Sequence, residues 1–506
     1  MDRSTVLWLL ALNVLAGGVL YSRFSGSDLG SRFNLSVQTL LSNVFPSTRP
    51  TCGLLHWDSY VLVSDRVVLP DGVRPAAVYI GSGRIHHIME DTSVSGPKVL
   101  RFKSAVISPG VIDVHVHLNE PGREEWEGIE TGTRAAVVGG VTTVVDMPLN
   151  SFPVTTTVEQ LRAKQELAKV KANANIAYWA GLVPANAANH TVLQALLDGR
   201  ARGFKAFMSP SGINDFANVD APDIAAALPF LKQAGVPLFV HAERVEAGPD
   251  TNEGDPRLYQ TYLDSRPPAM EQAAIQMLIK LLDEDKASAA PGFVVHIAHL
   301  SDAGCLGLIQ DAQARHPISV ETVPHYLHFN SEAIAAGQTQ FKCAPPIRDA
   351  HNKVALRRAL ASGAINLVSS DHSPAPPAMK HTESGLFTEA WGGIAGLQYL
   401  VPATWTALSQ TGAGLERLTA VLSEEPAKLA GFAGRKGQLA PGFDADIMVW
   451  EPESPADTSI AANQHKHKLT PYTDLPLLGK VVGTIVQGHF VFMSGAMSPT
   501  ACGEPL

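Results

Sequence analysis

Residues 111–122 read V-I-D-V-H-V-H-L-N-E-P-G. Successive side chains of a strand point to opposite faces, so His115 and His117, two apart at the end of an apolar run, project the same way. Two neutral imidazoles on one side can chelate a single cation. A strand end carrying two chance histidines is the competing reading, and the motif alone does not choose between them. The choice depends on whether the rest of the chain supplies further ligands.

Around this stretch, apolar strand-like runs alternate with helical patterns, the signature of βαβ units and a parallel sheet. Eight runs are expected, over 111–115, 142–146, 176–181, 204–208, 238–242, 293–299, 318–322 and 365–371, with helices over 158–171, 222–233, 268–285, 303–315 and 352–362. Eight units in about 260 residues favour a (β/α)8 barrel over an open doubly wound sheet. No Gly-rich phosphate fingerprint follows the first run, which argues against a dinucleotide fold. The flanks differ: β-branched runs with turn signals at Asp71-Gly72 and Gly81-Ser82-Gly83 on one side are matched by Asp446–Trp450 and Val481–Gly488 on the other. The expected architecture is therefore α/β, a TIM barrel at 109–435 with a small β-sandwich-like domain built from both ends of the chain, 51–108 and 436–506.

A barrel of this kind places its chemistry at the carboxyl ends of its strands. His115 and His117 stand after the first run, Lys205 in the fourth, His241 in the fifth, His299 in the sixth and Asp371 at the end of the eighth. Such convergence is far more specific than any one member. His296 is three residues from His299 and so faces the other way, as a core or helix-facing histidine. Lys205 is a poor ligand as an ammonium, but a desolvated amine can take up carbon dioxide and become a carbamate able to bridge two cations. A lysine snorkelling at a strand end is the alternative reading.

Composition bounds the rest. The chain has 506 residues, 45% hydrophobic and 17% charged, which describes a large folded core. A formal charge of −9 without a basic block leaves no footprint for nucleic acid. Residues 1–50 hold an apolar segment, Val6 to Tyr21, and a polar run, which read as a signal peptide or a membrane-anchoring signal and a linker. Either directs the chain to the endoplasmic reticulum and secretory membranes; a buried N-terminal helix is the alternative. Four cysteines show no C-x-x-C, and Cys52 and Cys502 flank the folded region, free to pair in an oxidising compartment or to remain thiols.

With these motifs in hand, the chain resembles the cyclic amidohydrolases of the amidohydrolase superfamily, and among them the allantoinase family of endomembrane-directed eukaryotic type. The resemblance runs from about Cys52 onward, through R-E-E-W-E-G (123–128), M-P-L-N-S (147–151), G-F-K-A-F-M-S-P-S-G (203–212), H-A-E (241–243), H-I-A-H-L-S-D-A (296–303), K-C-A-P-P-I-R-D (342–349), S-S-D-H-S-P (369–374) and A-W-G-G-I (390–394). It implies one divalent metal on His115, His117 and Asp371 and a second on His241 and His299, with carboxylated Lys205 between them. Zinc is the first expectation, with manganese and cobalt as alternatives. It also implies that Asp371 is the general base and that the hydantoin ring of allantoin is opened to allantoate. Related dihydroorotases carry an arginine at the position of Asn119; a neutral residue there suits a substrate without a carboxylate, although Arg123 is close enough to substitute. Asn150 and Ser373 are candidate substrate contacts. Alternatives are a hydantoinase or dihydropyrimidinase, less readily a dihydroorotase, or a non-catalytic scaffold. A small-molecule substrate and further copies of the chain are the expected partners. His325 reads as a packing or capping residue, Cys343 as a buried thiol, and His372 as a residue orienting a neighbour.

Overall fold

The computed structural model describes residues 52–244 and 254–506, so the expected N-terminal signal lies outside the described residues. Among the described residues, no helix is long and apolar enough to cross a membrane. The strands of the first flank are β1 (Ser59–Leu69), β2 (Gly72–Gly81), β3 (Arg84–Met89), β4 (Val99–Arg101) and β5 (Val106–Pro109). The barrel strands are β6 (Val111–Val116), β7 (Val141–Asp146), β8 (Asn175–Tyr178), β9 (Ala180–Gly181), β10 (Phe204–Phe207), β11 (Leu238–His241), β12 (Val295–Ile297), β13 (Ile318–Thr322) and β14 (Leu367–Val368). The far flank adds β15 (Ile447–Pro455), β16 (Leu478–Val486), β17 (His489–Met493) and β18 (Ala496–Met497).

β6 to β8 pair in parallel, as do β9 to β14. β8 and β9 are one strand interrupted at Trp179, whose indole donates to Val114 O at 2.8 Å. The eighth strand returns to the first where His117 N donates to His372 O at 2.8 Å and Val116 bridges His372 in parallel. This closes the barrel. Its interior is filled by Ile112, Val114, Val145, Trp179 and Phe239, and Leu506 joins the same cluster.

Nine strands from both flanks form a single hydrogen-bonded sheet, joined where β5 runs antiparallel to β15 from Val106↔Trp450 to Pro109↔Ile447. Two-residue hairpins that match strand twist need positive φ at both positions. Ser82 and Gly83 supply it (49° and 75°), as do Gln487 and Gly488 (47° and 79°). The sheet encloses its own core of Leu62, Val67, Val78, Ile107, Ile447 and Phe490. It packs closely on the barrel at Gly140 (φ 86°), where a Cβ would lie 2.3 Å from Met448 Sδ. Cys52 and Cys502 form a disulfide, and the segment after it runs beside β8, with Leu506 N donating to Ile176 O at 2.8 Å.

Helices Val158–Lys171 and Pro268–Glu284 fall close to their expected bounds. The first begins with a capping box between Thr157 and Gln160. The sixth and eighth barrel strands are shorter than expected, Val295–Ile297 and Leu367–Val368. His299 and Asp371, two and three residues beyond these strands, adopt positive φ, 29° and 42°, which extended pairing does not allow.

Candidate active site

All six rim candidates sit in, or within three residues of, the carboxyl end of a parallel strand, where the barrel opens. His115 lies in β6 and His117 follows it; Lys205 lies in β10, His241 ends β11, and His299 and Asp371 follow β12 and β14. Asp371 Oδ1 stands 3.2 Å from His115 Nε2 and 3.7 Å from His117 Nε2. One ligand atom from each of these three residues lies within 4.8 Å of the others. On the other side of the site, His241 Nδ1 faces His299 Nε2 at 3.0 Å. The His115 and His299 rings stack with centroids 5.2 Å apart, so the two groups adjoin.

Lys205 is fully buried, and its Nζ has no hydrogen-bond partner among the described residues. The amine rests against the faces of Phe239 and Phe207, with centroids at 4.6 and 5.1 Å. Burial lowers its pKa to about 8, against the pull of Glu321 and Asp371. An orphaned, easily neutralised amine among four imidazoles and a carboxylate is a donor set that fits divalent cations and a carbamate. Burial also lowers His115 to about 4, which keeps the ring neutral and able to ligate. For Asp371, burial acts to raise the pKa, but His115 and His117 hold it below the ordinary carboxylate value.

Three of the four rings are oriented from behind, while His299 Nδ1 has no hydrogen-bond partner among the described residues. His115 Nδ1 meets Glu321 Oε1 at 2.6 Å, leaving Nε2 for the site. His241 Nε2 meets Glu243 Oε2 at 2.7 Å, leaving Nδ1, and Arg266 ion-pairs with the same carboxylate. His117 Nδ1 lies 3.2 Å from the Asn150 amide, which orients it in the same way when the amide oxygen faces the ring. Such outer partners fix tautomer and raise ligand basicity. Glu321 and Glu243 were not singled out in the sequence; the available signal was an acid set inside or just after a strand-like run, which must find a donor once that strand is buried.

The mouth encloses a cavity of about 400 Å³ lined by His115, His117, His241, His299, Asp371, Asn150, Ser373, Tyr262, Arg266, Lys342 and Trp391 among others. Asn119 and Lys205 are not among its lining residues. Arg123 is not either, and pairs instead with Asp215 at 2.8 Å. Cys343 is a buried free thiol. His296 is buried, with Nδ1 2.7 Å from Ser319 Oγ and Nε2 3.3 Å from Glu321. His325, expected to pack or cap, lies in helix Pro324–His328 with its ring against Tyr326, centroids 4.7 Å apart. It is fully buried, neither ring nitrogen has a hydrogen-bond partner among the described residues, and it feels the charge of Asp371.

A closed parallel barrel with this rim is the framework of a metal-dependent hydrolase. Residues 106–491 match the amidohydrolase family, and the chain belongs to that family. Its sequence falls with the allantoinases. It is 46% identical over 90% of its length to a probable allantoinase of Oryza sativa subsp. japonica, covering 92% of that protein. It is 44% identical to the allantoinase of Arabidopsis thaliana, again over 90% of this chain and 92% of the other. The allantoinase of Saccharomyces cerevisiae is 37% identical over 88% of this chain and 98% of its own. Among solved structures, L-hydantoinase (dihydropyrimidinase) from Arthrobacter aurescens superimposes with a TM-score of 0.79 at 28% identity, covering 88% of this chain and 98% of that one. Dihydropyrimidinase from Brevibacillus agri has the same fold, with a TM-score of 0.78 at 23% identity over 88% and 98% of the two chains.

Proposed function

We propose that this enzyme hydrolyses one cyclic amide bond of the hydantoin ring of allantoin, giving allantoate. The observation that carries the substrate assignment is the 44–46% identity to plant proteins named allantoinase across nine-tenths of the chain. The chemistry of the site agrees with it. Asn119, where dihydroorotases place an arginine, stands back from the cavity and brings no positive charge to it. Asn150 and Ser373 line the cavity and can hydrogen-bond ring or ureido groups.

His115, His117 and Asp371 would hold one divalent cation and His241 and His299 a second, and Lys205 would add a further oxygen ligand as its carbamate. When bound, these ions, zinc foremost and manganese or cobalt as alternatives, acidify water and polarise the amide carbonyl. Asp371 acts as general base, because the neighbouring rings keep its carboxylate ionised and it borders the cavity. The proton it accepts passes to the departing ring nitrogen.

Turnover of allantoin, hydantoin, dihydrouracil and dihydroorotate tests the reading. Allantoin is expected to be fastest, and faster opening of any other ring overturns the assignment. Metal analysis of freshly purified, unchelated protein is expected to return about two ions per chain; an empty site would favour a scaffold role instead. The apolar segment Val6 to Tyr21 and the Cys52–Cys502 disulfide support residence in the endoplasmic reticulum or later secretory membranes. Cell fractionation that finds the protein in the cytosol would overturn this. Self-association is the remaining expectation, and light scattering giving the mass of one chain would exclude it.

A further inference from the structure

We propose that Glu127 and His372 form a buried pair that positions Asp371 for proton transfer, with the β15–β16 connection as its outer support; this rests on Asp371 being the general base. Asp371 is held at a φ of 42°, a left-handed conformation that a non-glycine residue keeps only when its neighbours fix it. The neighbour that does so is His372. Its N donates to Ser370 Oγ at 3.0 Å, its O accepts from His117 N at 2.8 Å, and its Nδ1 accepts from Gly396 N at 3.3 Å. An imidazole that accepts at Nδ1 carries a proton on Nε2. That nitrogen faces Glu127 Oε2 at 3.4 Å.

The other oxygen of Glu127 accepts from Lys466 N at 3.1 Å, and both Glu127 and His372 are fully buried. One donor, Lys466 N, is hydrogen-bonded to Glu127, and a second, His372 Nε2, lies 3.4 Å from its other oxygen in electrostatic contact without hydrogen-bond alignment. A glutamine could satisfy only one of them and would set an N–H against the other. Lys466 belongs to the connection between β15 and β16, residues 456–477, which also stacks His465 on His372 with ring centroids 4.7 Å apart. A segment of the β domain therefore braces the residue beside the base, behind the cavity and out of reach of substrate. Releasing the His372 ring frees the peptide that joins it to Asp371, and the carboxylate loses its alignment with the leaving nitrogen. Contacts that bind the ring remain in place.

The test is steady-state kinetics on metal-loaded Glu127→Gln, with metal content measured on the same sample. The expected result is a fall in kcat of about tenfold to hundredfold, with KM within about twofold and metal content as in the parent enzyme. Unchanged kcat, or a loss that follows metal content or KM, overturns the proposal. His372→Gln carries the same expectation should the first variant fail to fold, and the double variant is expected to be no slower than the slower single one; additive losses overturn the pairing. Asp371→Asn separates the two layers of inference. If it still opens the ring, the assignment of the base fails; if it is inactive while Glu127→Gln turns over normally, only the positioning role fails.

Discussion

Glu321 touches three histidines at once. Besides His115 Nδ1 at 2.6 Å, it accepts from His299 N at 3.1 Å and lies 3.3 Å from His296 Nε2. One carboxylate therefore orients a candidate ligand on each side of the site, and burial makes it hard to replace by water. Removing an outer partner of this kind costs about 10–100-fold in metal affinity or activity. Glu321→Gln is expected to show a loss in that range when metal-free protein is titrated with zinc, and parent-like affinity would refute the role. Lys205 offers a second check at this scale, in the metal-free protein. Burial lowers its pKa in the folded state to about 8, from 10.5 for the free side chain. Between those values the unfolded chain holds a proton that the folded chain lacks, so stability rises as pH increases from about 8 towards 10.5. Lys205→Met is expected to lose this gain. Denaturation midpoints of both proteins at the two ends of the window would show it, and parallel pH profiles would contradict it.

The helix Val158–Lys171 pins the barrel rim from outside. Its Lys164 reaches through the wall to Asp146 Oδ2 at 2.6 Å and Met147 O at 2.9 Å, while Asp146 Oδ1 accepts from Leu118 N at 2.9 Å. The ends of β6 and β7, and with them the loops carrying His117 and Asn150, are thus tied to one buried charge pair. Taking away one member of such a pair strands the other in the core, at a cost of about 3–5 kcal/mol. Lys164→Met is expected to lower the thermal midpoint accordingly. By contrast, Asp220→Ala removes an exposed cap from helix Ala221–Ala234, at a cost of about 1 kcal/mol. If differential scanning finds the two variants equally stable, the pair does not brace the rim.

For the whole molecule, the Cys52–Cys502 disulfide joins residues 450 apart and fixes the segment that runs beside β8. Disulfides of this kind add about 2–4 kcal/mol, so Cys502→Ser is expected to melt several degrees lower, with the reduced parent protein behaving alike; an unchanged midpoint would show that packing alone holds the segment. The sequence by itself determined the alternating barrel, the flanking β sheet and the rim positions of the six candidates, because strand alternation, helix periodicity and turn chemistry are local properties that each short stretch carries. It did not reveal Glu321 behind His115, Glu243 behind His241 or Glu127 against His372. These partners are two to 245 residues apart in sequence, and of them only Glu243 lay in a motif next to its histidine. Nor did it foresee that His299 and Asp371, just beyond the sixth and eighth strands, sit in left-handed backbone. Only tertiary structure decided those points: which buried donor meets which carboxylate depends on barrel closure and strand register, and no local pattern encodes either.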